Sequence, residues 1–131
     1  MGRENSKQIQ MTKTQNSKQY DLEDRTLEFA RRVRALIKKL PKTIGNIEDG
    51  KQVIRSSGSV GANYIEANES LSKKDFAMRI KICRKEAKES RYWLNLIDTR
   101  NNADCDKERM NLDQEALELT RIFGSIVENL K

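Results

Sequence analysis

Apolar side chains recur every three or four residues along most of the chain after residue 20, which is the spacing of one face of an α-helix. Three interruptions divide this pattern into four segments. Pro41 ends or kinks the first segment, the sequence SKKDF resembles the capped start of a helix, and NNADCD is typical of a turn. The pattern therefore predicts four helices, and it contains no candidate β-strand.

The ends of these helices are predicted from capping residues and turn residues. In chain order, the predicted bounds are Asp21 or Asp24 to Pro41, residues 47–50 to Ser70, Ser72 to Thr99, and from Asn111, or from a first turn nearer Asp106, onward. Short connections between amphipathic helices favour an antiparallel arrangement. We therefore predict an all-α fold, an antiparallel up-down four-helix bundle over residues 20–131.

The first 19 residues differ from the rest of the chain, because they are mostly Gln, Lys, Asn, Ser and Thr with scattered apolar residues such as Ile9 and Met11. Such a composition buries too little apolar surface to offset the entropy lost on ordering. We predict a disordered tail over residues 1–19. The tail also carries half of the formal net charge of +6, so the predicted bundle is only mildly basic.

Composition also limits the chemistry. The chain has no histidine and only two cysteines, Cys83 and Cys105, so we expect no zinc site, no disulfide framework, no metal and no cofactor. No stretch approaches the roughly 18 to 20 apolar residues of a membrane span, and the N-terminus lacks a secretory signal. We expect a cytoplasmic protein with no membrane partner.

The stretch RSSGSVGAN, residues 55–63, places small residues inside the second predicted helix. A helical glycine costs roughly 1 kcal/mol relative to alanine, and close approach of a neighbouring helix can offset that cost. We therefore predict close helix packing at Ser57, Gly58 and Gly61. Recognition of a polar partner is the alternative, whereas catalysis is disfavoured because there is no histidine base and no lysine or strand of a phosphate-binding loop.

Two segments, QVIRSSGSVGANYIEANES and KKDFAMRIKICRKEAKESRYWLNLI, resemble at this spacing a bacterial four-helix-bundle family that includes proteins encoded in intervening sequences of large-subunit ribosomal RNA genes. The chain is more distantly similar to the accessory variability protein of diversity-generating retroelements. The resemblance covers residues 20–131 and implies a ring-like homopentamer. Those retroelement relatives bind a reverse transcriptase and nucleic acid through a basic surface, and the family supplies no catalytic residues, so we expect no enzyme.

The third helix has more apolar surface than one bundle face requires. Its main face is Phe76, Ile80, Cys83, Ala87, Leu94 and Ile97. A second stripe lies well round from that face, at Met78, Ile82, Trp93 and Leu96. Single exposed apolar residues are normal, but a tryptophan with three aliphatic residues on one side is better explained by a subunit interface. We predict that the protein forms a homo-oligomer.

Two rows of cationic side chains follow the helix spacing. The row on the third helix consists of Lys81, Arg84, Lys85 and Lys88, with Tyr92 one turn beyond. The row on the first helix consists of Arg31, Arg34 and Lys38. Such rows can simply solubilise a bundle, but an oligomer would repeat them and favour phosphate-dominated binding of RNA or DNA. The alternative is an adaptor whose only partner is a protein client, such as a reverse transcriptase.

Overall fold

The computed structural model describes the chain path over residues 6–131 and the side chains of residues 22–131. It contains the helices α1 (Ser6–Lys39), α2 (Ile44–Asn68), α3 (Lys73–Leu96) and α4 (Ala103–Asn129). Each helix lies beside two others, in the order α1, α2, α3, α4 around the bundle. The described residues include no strand, and the predicted all-α four-helix bundle is confirmed. The tail predicted for residues 1–19 falls outside the described side chains and stays a prediction.

Side-chain caps determine where three of the helices begin. The side-chain oxygens of Thr43, Ser72 and Asn102 each accept a hydrogen bond from a backbone N–H three residues later, at 2.9 to 3.1 Å. These bonds satisfy amides that the first helical turn leaves without a partner. The predicted start of the third helix at Ser72 is confirmed.

Several predicted helix ends were wrong. Thr43 starts α2 ahead of the predicted residues 47–50, and Asn102 starts α4 ahead of both Asn111 and Asp106, so Asn111 lies inside α4. Immediately before the α4 cap, Arg100 and Asn101 adopt positive φ values of 51° and 59°. This left-handed turn brings Asn102 into the capping position, and helix spacing does not reveal such a turn.

Two further ends also differ from the predictions. The third helix ends at Leu96, ahead of the predicted Thr99, because Ile97 already has an extended backbone. The first helix begins at Ser6, ahead of both Asp21 and Asp24, the two positions at which the sequence predicts its start.

The core takes one face from each helix. The largest fully buried apolar side chains are Phe29, Val33, Leu36, Val53, Val60, Ile80, Leu94, Leu112, Leu119 and Phe123. The rings of Tyr64 on α2 and Phe123 on α4 meet inside the bundle, with their centroids 5.7 Å apart. Burial of these apolar side chains is the main source of stability, because each large one contributes about 1.5 to 3 kcal/mol.

One buried side chain joins two connections at the same end of the bundle. The Asn46 amide donates to the backbone carbonyls of Pro41 and Asp98, at 2.9 Å each, and its oxygen accepts from the Asp98 backbone N–H at 2.8 Å. Pro41 lies in the α1–α2 connection and Asp98 in the α3–α4 connection. Asn46 therefore holds the two connections together.

Arginine–carboxylate pairs bridge three of the four helix–helix faces. The pairs are Arg25 with Glu115 and Glu118, Arg32 with Glu108, Arg55 with Glu86 and Glu89, and Arg91 with Asp113. They connect α1 to α4, α2 to α3, and α3 to α4. Within the described part of the chain, no helix has both the length and the apolar character needed to cross a membrane.

Candidate nucleic-acid interface

An open groove of about 830 Å³ runs between α3 and α4. Its lining residues are Lys81, Arg84, Lys85, Lys88, Glu89, Arg91 and Tyr92 of α3 with Leu117 and Thr120 of α4. The groove thus contains the whole row that the sequence analysis assigned to the third helix, together with part of α4 that the analysis did not assign. The α4 residues were missed because their helix spacing alone does not show which neighbour they face.

The groove has an excess of positive charge. Lys81, Arg84, Lys85 and Lys88 form no ion pair with any carboxylate among residues 22–131. The carboxylate of Glu89 is already engaged by Arg55, whose Nη2 lies 3.0 Å from Oε2. A concave surface lined by charges of one sign concentrates counterions, so this groove favours an anion.

Two neighbouring carboxylates of α3, Glu86 and Glu89, share Arg55 as a hydrogen-bond donor. Burial, the largest influence, raises the pKa of Glu86, and the neighbouring Glu89 carboxylate raises it further, against the opposing effect of Arg55. Burial also tends to raise the pKa of Glu89, but the hydrogen bonds that its carboxylate accepts from Glu86 and Arg55 outweigh that effect and lower the pKa. Glu89 therefore remains charged and keeps Arg55 turned toward α3.

The cationic row of α1 lies elsewhere. Arg31 and Arg34 line a separate groove of about 470 Å³ between α1 and α2, and Lys38 is exposed further along α1. Arg34 also donates to the backbone carbonyl of Ala30, at 3.3 Å. Since α1 lies beside α2 and α4 but not beside α3, the structure does not bring the two rows together.

The small residues of α2 have unequal surroundings. A Cβ added at Gly61 would lie 2.9 Å from Thr26 Oγ1 and 3.2 Å from Thr26 Cβ, so α1 leaves no room there. A Cβ added at Gly58 would meet only the Arg34 guanidinium, at 3.5 Å, which is an ordinary contact. Ser57 is fully buried, and its hydroxyl donates to the Ile54 carbonyl at 3.3 Å. Of the three residues predicted for close packing, Gly61 is therefore the one at which α1 leaves no room for a side chain.

A buried polar contact between α2 and α3 could not be identified from sequence. The hydroxyls of Ser56 and Ser90 lie 2.8 Å apart, and Ser90 also donates to the Glu86 carbonyl at 2.8 Å. By helix spacing Ser56 falls on the same side of α2 as the polar residues Gln52, Ser59 and Asn63, yet it is fully buried. Its partner becomes evident only when the second helix is in position, because a buried hydroxyl requires a hydrogen bond.

The second apolar stripe of α3 is only partly covered. Met78 is 50% exposed and Leu96 is 48% exposed, whereas Ile82 and Trp93 are half-buried. The Trp93 indole packs against the core, and its buried Nε1 has no hydrogen-bond partner among the described residues. The stripe follows the outer side of α3, next to the cationic row.

Neither cysteine belongs to this interface. Cys83 and Cys105 are buried and free, and burial raises the pKa of the Cys83 thiol to about 12, so it remains protonated at neutral pH. Residues 22–131 contain no cluster of three or more acidic, cysteine or histidine side chains able to hold a metal ion.

Comparisons with known proteins identify a family model and a solved structure that are similar to this chain. The family model described as "23S rRNA-intervening sequence protein" matches residues 18–125. A solved structure of a protein with unknown function, from the S23 ribosomal protein family of Bacteroides thetaiotaomicron, is 31% identical over 85% of this chain and 98% of its own, with a TM-score of 0.71. No curated protein matches the chain.

Proposed function

Because this chain belongs to the family of 23S rRNA-intervening sequence proteins, we propose that it is a non-enzymatic accessory protein that binds RNA or DNA. The groove between α3 and α4 supports this proposal above any other observation. Four of its cationic side chains, Lys81, Arg84, Lys85 and Lys88, have no carboxylate partner among residues 22–131. A cytoplasmic location, where RNA and DNA are available, is part of the same proposal.

Unpaired cations suit this role for a thermodynamic reason. A lysine or arginine that contacts a phosphate releases condensed counterions, and this release favours binding at low salt. A cation already held by a carboxylate, as Arg91 is by Asp113, would have to give up that pair first. The proposed contacts therefore involve the unpaired side chains, and the affinity depends on phosphate more than on base sequence.

Self-association would strengthen such binding, and we include a homopentamer in the proposal. The α3 stripe of Met78, Ile82, Trp93 and Leu96 supports it, because a second copy covering the stripe would bury apolar surface now in contact with water. The stripe lies beside the cationic row on the same helix. A closed ring would then repeat the groove in every subunit and add their potentials.

The direct test is filter binding of a structured RNA over a series of salt concentrations. We expect binding that weakens steeply with salt. The triple variant Lys81→Glu, Lys85→Glu, Lys88→Glu should lose most of the affinity, and the slope of log K against log salt should fall by up to about 3 because up to three phosphate contacts are lost.

The matched control is the triple variant Lys39→Glu, Lys42→Glu, Lys51→Glu. It changes the net charge equally at exposed positions outside the groove. The control should retain most of the affinity. Equal loss in both variants would mean that general charge, and not the groove, attracts the RNA.

A protein-only adaptor is the competing function, and the exposed α3 stripe would then hold a protein client such as a reverse transcriptase. Failure of the wild-type protein to bind RNA or DNA at low salt would exclude the nucleic-acid function and favour the adaptor. The two functions are thus separated by one experiment on the unmodified protein.

A further inference from the structure

The groove between α3 and α4 holds an aromatic ring among its cations. Tyr92 is 61% exposed and shares the groove with Lys81, Lys85 and Lys88 on its own helix and with Leu117 on α4. A tyrosine exposed to this extent contributes little to the core of this chain. Its position beside unpaired cations therefore suits a ligand that has a flat apolar face as well as negative charge.

The neighbouring tryptophan restricts the Tyr92 ring. The centroids of Tyr92 and Trp93 lie 5.0 Å apart, and their planes are nearly perpendicular at 79°. Rings arranged in this way do not stack face to face, so Trp93 leaves at least one face of Tyr92 uncovered. Since Trp93 packs against the core, the edge-to-face contact gives the exposed ring a fixed support.

The distances along the helix match an elongated ligand. With a rise of about 1.5 Å per residue, Lys88, Lys85 and Lys81 lie about 6, 10 and 16 Å from Tyr92 along the α3 axis. The positive charges of these lysines therefore extend from the Tyr92 ring toward the N-terminus of α3. A ligand in the groove would place its anionic groups along this row and a flat group at the end of it.

Single-stranded and double-stranded nucleic acids differ in what they offer to such a groove. The outside of a duplex presents phosphates, while its base faces are stacked inside, so Tyr92 and Leu117 would find no apolar partner. A single strand presents phosphates together with unpaired bases that stack on aromatic side chains. The combination of row and ring thus fits a single strand better than a duplex.

We propose that the α3–α4 groove binds single-stranded nucleic acid, with phosphates along Lys81, Lys85 and Lys88 and one unpaired base stacked on Tyr92. This inference rests on the nucleic-acid function proposed above, and it specifies the class of ligand. The base identity is not selected, because every base has an aromatic face that can stack on the ring.

The test compares three fluorescently labelled ligands of equal length in anisotropy titrations with the full-length protein. They are an unstructured uridine RNA, the corresponding thymidine DNA, and a blunt DNA duplex. We expect both single strands to bind about ten-fold or more tightly than the duplex at the same salt concentration. The Tyr92→Leu variant should lose about ten-fold or more in single-strand affinity, whereas Tyr92→Phe should retain it because it keeps the ring.

Two further readouts separate stacking from a general loss of binding. The salt slope of Tyr92→Leu should equal that of the wild type, because the lysines still contact phosphates. Trp93 is the only tryptophan in the chain, so its fluorescence should change when a single strand binds and remain unchanged with the duplex. Circular dichroism and light scattering would establish that both Tyr92 variants fold and assemble like the wild type.

The possible failures are distinguishable. If the duplex binds as tightly as the single strands, or if Tyr92→Leu binds like the wild type, the stacking inference is wrong while the nucleic-acid function stands. If no ligand binds at low salt, the nucleic-acid function itself is wrong.

Discussion

Gly61 is the position at which α2 leaves no room for a side chain facing α1. Thr26 occupies the opposite position, and its hydroxyl is held by hydrogen bonds to the carbonyls of Leu22 and Glu23, at 2.7 and 3.1 Å. Because this hydroxyl cannot turn away without losing those bonds, a methyl group at residue 61 would push the helices apart. Gly58, one turn earlier, faces only the end of a flexible arginine.

We predict opposite effects for two glycine substitutions on the same helix. Gly58→Ala should stabilise the protein by up to about 1 kcal/mol, because alanine has the better helix propensity. Gly61→Ala should destabilise it by about 1 kcal/mol, since overpacking costs about 1 to 3 kcal/mol and exceeds the same propensity gain.

Urea denaturation at one fixed protein concentration would measure both changes, because the stability of an oligomer depends on concentration. Similar stabilisation by the two substitutions would contradict a close approach of the helices at Gly61.

A small number of side-chain hydrogen bonds determine where the helices start and hold the connections between them. Thr43 and Asn102 start α2 and α4, and Asn46 ties the connections that precede them. Ser72 caps α3 at an exposed position. Removal of the buried Asn46 side chain would leave its backbone partners without a hydrogen bond, whereas water can replace the exposed Ser72 hydroxyl.

The loss of Asn46 should cost more than the loss of an exposed cap. Asn46→Ala removes three hydrogen bonds and leaves the carbonyls of Pro41 and Asp98 and the Asp98 N–H without that partner, so we expect a loss of about 2 to 3 kcal/mol. Ser72→Ala, the control, should cost about 1 kcal/mol, because water can replace the cap. Chemical denaturation gives both values, and equal losses would mean that the two connections are held together by other contacts.

The complete bundle uses its charges in two ways. Arg25, Arg32, Arg55 and Arg91 pair with carboxylates across helix–helix faces. Lys81, Arg84, Lys85 and Lys88 of the α3–α4 groove, in contrast, form no ion pair among the described residues. Arginine suits the first role, because its planar guanidinium can bond two carboxylate oxygens at once, as Arg25 does with Glu115.

Assembly is the property of the whole molecule that the α3 stripe predicts. Replacing Trp93 by Ala together with Ile82→Ser should lower the oligomer mass in light scattering, because the apolar contact between subunits is lost. A second variant, Met78→Ser with Leu96→Ser, changes only the exposed members of the stripe and spares the core. It should also lower the mass while keeping the helical circular dichroism.

The control for assembly is Leu71→Ser with Met110→Ser. These side chains are 99% and 67% exposed and lie outside the stripe, so their replacement should leave the mass unchanged. A wild-type protein that remains a single protomer at high concentration would contradict the predicted homo-oligomer.

Much of the fold was predictable because it depends on local patterns. The apolar repeat of the third helix identified core positions such as Ile80, Cys83 and Leu94, which are fully buried, and Ser72 marked the start of α3. The start of α4 was not predictable, because it depends on the positive φ values of Arg100 and Asn101. Helix spacing does not indicate such values, and neither residue is a glycine.

The amino-acid sequence by itself determined the helical class, most of the core and the cationic row of α3, because each follows from the 3.6-residue period of a single helix. Only the tertiary structure decided which α4 residues join that row, that the α1 row lies apart from it, and that α1 leaves room for a side chain at Gly58 but not at Gly61. These features depend on how each helix is rotated about its own axis and which helix lies beside it. Both are decided by packing between residues far apart in the chain, which no single segment specifies.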